Sequence, residues 1–146
     1  MRSLWNDNIA KNYSSDLQIR VYTSNLLGRS DDLVLHGGGN TSIKSVVGGE
    51  EILFVKGSGW DLVSIQEEGF APVRLDSLLD MAKLKSLSDI DMVASQKKAM
   101  INPKAPNPSV EAILHALIPF KVVDHTHADA IVTDRKSTRL NSSHRL

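Results

Sequence analysis

The chain has 146 residues, 41% of them hydrophobic and 23% charged, with 17 basic and 17 acidic side chains, which suits one domain with a packed core. It has no cysteine, which excludes disulfides and thiolate ligands, so any metal would be held by histidine, carboxylate and water. No apolar run is long enough to act as a signal or to cross a bilayer, and the expectation is a soluble, cytoplasmic protein without a membrane partner.

In chain order, Ser14-Ser15-Asp16 can cap a helix that carries Leu17, Val21, Leu26 and Leu27 on one side and ends at Gly28. Leu33-Val34-Leu35 then leads into His36-Gly37-Gly38-Gly39-Asn40-Thr41-Ser42. Three consecutive glycines allow a sharp turn and a close approach to a ligand, with amides free to hold an anion. A plain loop is the alternative. Ser42 to Val47 and Glu50 to Val55 are β-rich runs around Gly48-Gly49, the signature of a tight hairpin. The second strand runs into Lys56-Gly57-Ser58-Gly59-Trp60, and hairpin geometry can bring this turn to the same sheet edge as the first glycine loop. Lys56 could act as a Schiff-base lysine only if desolvated. No apolar enclosure is visible around it, so it reads as a surface lysine.

Leu75 to Leu87 carries Leu75, Leu78, Leu79 and Leu84 near helical spacing, and Ser88-Asp89-Ile90-Asp91 opens a second helix to about Met100. Both read as structural. In Asn102-Pro103-Lys104-Ala105-Pro106-Asn107-Pro108-Ser109-Val110-Glu111 the prolines exclude helix until Asn107 caps one and Pro108 takes its first position, with Ala112, Ile113, Leu114, Ala116 and Leu117 continuing it. Ser109 and Glu111 then lie in the first turn or just beyond, where a phosphate held with the Ser109 hydroxyl is favoured and where a carboxylate is favourable too.

After a break at Pro119 comes Val122-Val123-Asp124-His125-Thr126-His127. Side chains two apart on an extended backbone share a face, so His125 and His127 can offer ring nitrogens to one cation such as zinc. Two hydrogen-bonded histidines at a strand end are the alternative. Glu111 stands 14 residues before His125, and a helix–strand return can bring its carboxylate beside the imidazoles.

From Asp134 onward the apolar periodicity stops. The stretch Asp134 to Leu146 resembles a sequencing-adapter oligonucleotide translated in one frame, so the expected division is a domain over 1–133 and a non-native tail over 134–146. Without Arg135, Lys136, Arg139, Arg145 and Asp134 the balance is 13 basic against 16 acidic residues. No basic face then suggests a nucleic-acid partner.

The ordered set Gly37-Gly38-Gly39-Asn40-Thr41-Ser42, Lys56-Gly57-Ser58-Gly59, Pro108-Ser109-Val110-Glu111 and His125-Thr126-His127 resembles the class II aldolase/adducin superfamily. The wider text, including Asn25-Leu26-Leu27-Gly28, Trp60-Asp61-Leu62 and Phe70-Ala71-Pro72-Val73-Arg74-Leu75, is similar to the aldolase half of bifunctional rhamnulose-1-phosphate aldolase/short-chain dehydrogenase proteins, over about residues 5 to 133. The resemblance implies an α/β fold: a three-layer α/β/α arrangement with a largely antiparallel central sheet, truncated at the carboxyl end. It further implies that Gly39, Asn40, Ser58, Gly59 and Ser109 bind a substrate phosphate, that Glu111 is the acid/base, and that His125 and His127 bind Zn2+ or another divalent cation. Family members add a third histidine ligand well downstream and residues from a neighbouring subunit of a homo-oligomer. His144 falls in the suspect tail and is not assigned that role.

The chemistry so implied is retro-aldol cleavage of a ketose 1-phosphate to dihydroxyacetone phosphate and an aldehyde, with a cation as Lewis acid and Glu111 moving the proton. A pentulose-phosphate 4-epimerase uses the same chemistry on the same scaffold, and an adducin-like module would keep the fold without the activity. Glu111, His125 and His127 argue against the last. With two histidines and one acid, the 146-residue chain alone is expected to have little activity.

Overall fold

The computed structural model describes residues 3–35 and 37–128. His36, the tail over 134–146 and His144 lie outside the described residues.

Helix α1 spans Asp7–Ala10, and α2 spans Asp16–Gly28 with Ser15 as its cap, the Ser15 hydroxyl accepting the amide of Gln18 at 3.1 Å. The side that α2 buries is not the leucine stripe expected from spacing. It is Arg20, Val21, Tyr22 and Ser24, while Leu17, Leu26 and Leu27 are only half-buried. Polar partners beneath the helix explain the difference: Ser24 Oγ meets Thr41 Oγ1 at 2.8 Å, and the Asn25 amide donates to the carbonyls of Leu62 and Ile65.

Strands β1 (Asn40–Val47) and β2 (Glu50–Lys56) form the expected hairpin. Gly48 and Gly49 turn it at φ 60° and 86°, the left-handed pair that a two-residue hairpin turn requires. Strand β3 (Phe70–Arg74) pairs antiparallel with β2, and β4 (Val122–His125) pairs antiparallel with β1, giving the order β3-β2-β1-β4. The first four residues of β3 are all buried, and a run buried on both faces gives no alternation from which to read a strand.

Alternation along the sheet sends Leu53, Val55, Ala71 and Val73 to one side. There they meet Leu75 and Leu78 of α3 (Leu75–Ala82), Ala99 at the end of α4 (Asp89–Ala99), and Ala112 and Ala116 of α5 (Ala112–Leu117). Phe54 and Phe70 pack on the other side with Leu17 and Val21 of α2, Trp60 and Ile65. The architecture is thus α/β, an antiparallel four-stranded sheet between helix layers. Among the described residues no helix is long and apolar enough to cross a membrane.

Two expected helix limits need correction. Helix α3 stops at Ala82 rather than Leu87, because Leu84 finds no core and is 55% exposed, and the closing amides of Lys83 and Leu84 tighten onto Asp80 and Met81. Helix α5 starts at Ala112, not at Pro108. Pro108 instead bridges to Gly57, with the Ser58 amide donating to Asn107 O at 2.9 Å and the Ser109 amide to Lys56 O at 3.2 Å. Pairing with the end of β2 has overridden the local helix-start signal, so Ser109 precedes the helix instead of opening it.

A single buried cation ties α2 to β4. Arg20, 2% exposed, donates to Val123 O at 3.0 Å and to Thr23 Oγ1 at 3.2 Å, and it forms an ion pair with Asp124. Asp124→Ala leaves that guanidinium buried and uncompensated, with an expected cost of about 3 kcal/mol. Urea unfolding checks this against Asp80→Ala in the exposed Lys83–Asp80 pair, where the expected loss is below about 0.5 kcal/mol.

Candidate metal and acid–base site

The site is placed by the two-residue period of β1. Thr41 points to α2, so Asn40 and Ser42 point to the opposite face, where α5 lies. Register pairs Asn40 with His125 and Ser42 with Val123, which puts the His125 ring on that same face. Glu111 is the residue that caps α5, and His115 follows four positions later on the same side.

These elements converge. Glu111 Oε2 lies 2.8 Å from His125 Nδ1 and 3.9 Å from His115 Nε2, and the ligand atoms of the three residues lie within 4.8 Å of one another. His115 Nδ1 is 2.8 Å from Ser42 Oγ. His127 sits beyond the end of β4, exposed, its amide donating to Leu33 O at 2.9 Å and its ring centroid 4.8 Å from that of His125. It stands beside His125 without joining the three-way group.

The remaining expected residues surround this cluster unequally. Gly39 adopts φ 74°, and a Cβ there would stand 3.0 Å from His125 O, so the loop passes over the strand too closely for any larger residue. Asn40 is buried, while Ser58 and Gly59 are exposed and Ser109 is half-buried. The amides of Ser58 and Ser109 are spent on Asn107 O and Lys56 O, which leaves these two residues their hydroxyls for an anion. Ser109 Oγ also accepts the Glu111 amide at 3.3 Å.

Lys56 is not the surface lysine expected from sequence. It is 9% exposed at the end of β2, enclosed by chain that is remote in sequence, such as the Asn107–Ser109 segment bonded beside it. Burial pushes its ammonium below the ordinary lysine value, against the opposing pull of Asp61 and Glu111.

For Glu111, burial pushes the carboxyl upward. Hydrogen bonds from His125 and Asn40 and the nearby charges of His125 and His115 outweigh that, and hold it below the ordinary carboxylate value. For His115, burial is the largest influence and lowers the imidazole despite the attraction of Glu111. An ionised carboxylate thus faces a neutral, sealed imidazole at pH 7.

His115 was passed over in the sequence because it sits among Ala112, Ile113, Leu114 and Ala116, which read as an apolar helix. Its spacing from Glu111 at i,i+4 was the available signal. The donor set of imidazole nitrogens and a carboxylate oxygen fits a divalent cation of zinc type. Near this cluster the buried Asn40 Oδ1 has no hydrogen-bond partner among the described residues, as expected where a ligand completes the polar pairing, and the buried His115 Nε2, likewise without one, faces Glu111.

A protein-family model described as "Class II Aldolase and Adducin N-terminal domain" matches residues 19–134. A curated relative, "Uncharacterized oxidoreductase YuxG" of Bacillus subtilis (strain 168), is 38% identical over 138 residues, covering 91% of this chain and 20% of its own length. The solved N-terminal class II aldolase domain of a conserved protein from Thermoplasma acidophilum superposes with a TM-score of 0.83 at 43% identity, over 91% of this chain and 63% of that one. The chain thus spans about a fifth of the length of the curated relative.

Glu111 and His115 are both depressed on folding, so each adds stability that is fully present above its unfolded value and is lost as pH falls. The loss from His115 begins below about pH 6.5 and that from Glu111 below about pH 4.5. Thermal melts between pH 7.5 and 5 should show Tm falling with acid, and His115→Gln should flatten that limb.

Proposed function

Because the chain belongs to the class II aldolase and adducin N-terminal domain family, we propose that it is the aldolase segment of a divalent-metal-dependent lyase that cleaves a phosphorylated sugar. The finer reading is a rhamnulose-1-phosphate aldolase-like retro-aldol reaction, giving dihydroxyacetone phosphate and an aldehyde. The observation that carries it is the 2.8 Å contact between Glu111 Oε2 and His125 Nδ1, with the His127 ring alongside. Chain segments 14 residues apart are folded back to put a carboxylate and two imidazoles at one sheet edge.

In this reading His125 and His127 hold Zn2+ or another divalent cation, whose contribution when bound is Lewis acidity at the substrate carbonyl. Glu111, kept ionised by its hydrogen bonds, takes and returns the proton at the carbon that becomes nucleophilic in the synthetic direction. Asn40 and the hydroxyls of Ser58 and Ser109, with the turns at Gly39 and Gly59, hold the phosphate and so fix the reacting carbons against Glu111. Lys56 brings a cation close to the same pocket, and its charge interacts with Glu111. That supports a part in holding the anionic substrate instead of a Schiff base. Residues from a second copy of the chain complete the pocket in a homo-oligomer.

Zinc titration by calorimetry tests the metal assignment directly: His125→Ala should weaken binding by roughly tenfold or more, and unchanged affinity would remove His125 from the ligand set. In the protein extended by the downstream residues of its family, a chelator should abolish sugar-phosphate cleavage. Borohydride added with substrate should leave Lys56 unmodified, and trapping at Lys56 would replace the metal reading with an imine one.

A further inference from the structure

We infer that His115 is a positioning residue: its Nε2–H, fixed by the Ser42 hydroxyl at the other ring nitrogen, is offered to the Glu111 carboxylate and sets where that carboxylate stands relative to His125 and His127. The inference deepens the reading of Glu111 as the acid/base and rests on it.

The hydrogen-bond chemistry of the buried ring carries the assignment. Ser42 is fully buried and its Oγ lies 2.8 Å from His115 Nδ1. The other nitrogen, Nε2, is buried without a partner among the described residues and faces Glu111 Oε2 at 3.9 Å. An ionised carboxylate can only accept. A bare ring nitrogen turned toward it would set two lone pairs against each other where water cannot intervene. The arrangement free of that conflict puts the ring proton on Nε2 and leaves Nδ1 to accept from the Ser42 hydroxyl. At 3.9 Å the contact is an attraction that a small rotation of the carboxylate converts to a hydrogen bond.

Burial separates this role from that of a metal ligand. The His115 side chain is 1% exposed, that of Glu111 30% and that of His125 35%, and His127 is exposed further out. A cation that must meet a sugar phosphate belongs on the open side, between Glu111 and the two outer imidazoles. His115 stands behind the carboxylate, in the place of the outer-shell partners that orient ligating or catalytic groups.

The test is the ring tautomer, read from nitrogen–proton correlations of the 146-residue chain labelled with nitrogen-15 histidine, at neutral pH and without metal. A single Nε2–H tautomer for His115 is expected, with mixed tautomers in Ser42→Ala. An Nδ1–H tautomer in the wild type would overturn the inference, because Nε2 would then be free to ligate. Zinc titration supplies a second readout. His115→Gln keeps an amide donor near the Nε2 position and should bind zinc within about threefold of wild type, whereas His115→Phe should lose roughly tenfold. Equal losses in both variants would make the imidazole a ligand and end the proposal. Failure of the wild-type chain to bind zinc would count against the cation reading alone, since the tautomer is measured without metal.

Discussion

The pairing of β1 with β4 is the constraint from which the site follows. Because Asn40 faces His125 and Ser42 faces Val123, alternation alone decides that one imidazole and two polar side chains share the face covered by α5. A slip of one residue would turn His125 toward α2 and take it away from Glu111. Register is protected from both sides. Arg20 grips Val123 O and Asp124 from beneath α2, and Lys44 reaches across to the carbonyls of Ile118 and Phe120. Polar contacts, the Arg20–Val123 one fully buried, here select one alignment among several that hydrophobic burial would tolerate.

The polar layers on the two sides of β1 do different work. Under α2, the Ser24–Thr41 and Arg20–Asp124 contacts lie within the protein and hold the frame, although Arg20 Nε has no partner among the described residues. Under α5, Ser42 and His115 are satisfied on one side and open on the other: Nε2 has no partner among the described residues. An unpaired buried donor or acceptor carries a cost of about 1–3 kcal/mol, and it is tolerated where something useful faces it.

Much of this was legible in the sequence, and the exceptions have physical causes. The hairpin around Gly48-Gly49, the Ser15 and Ser88 caps and the return of Glu111 to His125 rest on local signals, and local geometry delivers them. The start of α5 at Ala112 instead of Pro108 was not legible, because the competing bridge to Gly57 comes from chain about 50 residues away. Lys56 was misread for the same reason: burial is conferred by segments remote in sequence. His115 was hidden by its apolar neighbours, since a helix pattern says which positions face inward and not which of them meet a polar partner. The placement of His127 just past β4, beside His125 yet outside the Glu111 group, depends on where a four-residue strand stops. Periodicity cannot locate that end.

The guanidinium of Arg20 has a bearing on motion as well as on stability. Fraying of β4 from β1 would require a cation with almost no solvent contact to lose both Val123 O and Asp124 together, so β4 does not peel away independently of α2. Separation of β4 from β1 is thereby coupled to lifting of α2, and amides near His125 should exchange with solvent through the same large fluctuation that releases the helix. A site built on β4 gains, from one arginine 103 residues earlier, the dynamic behaviour of an interior one.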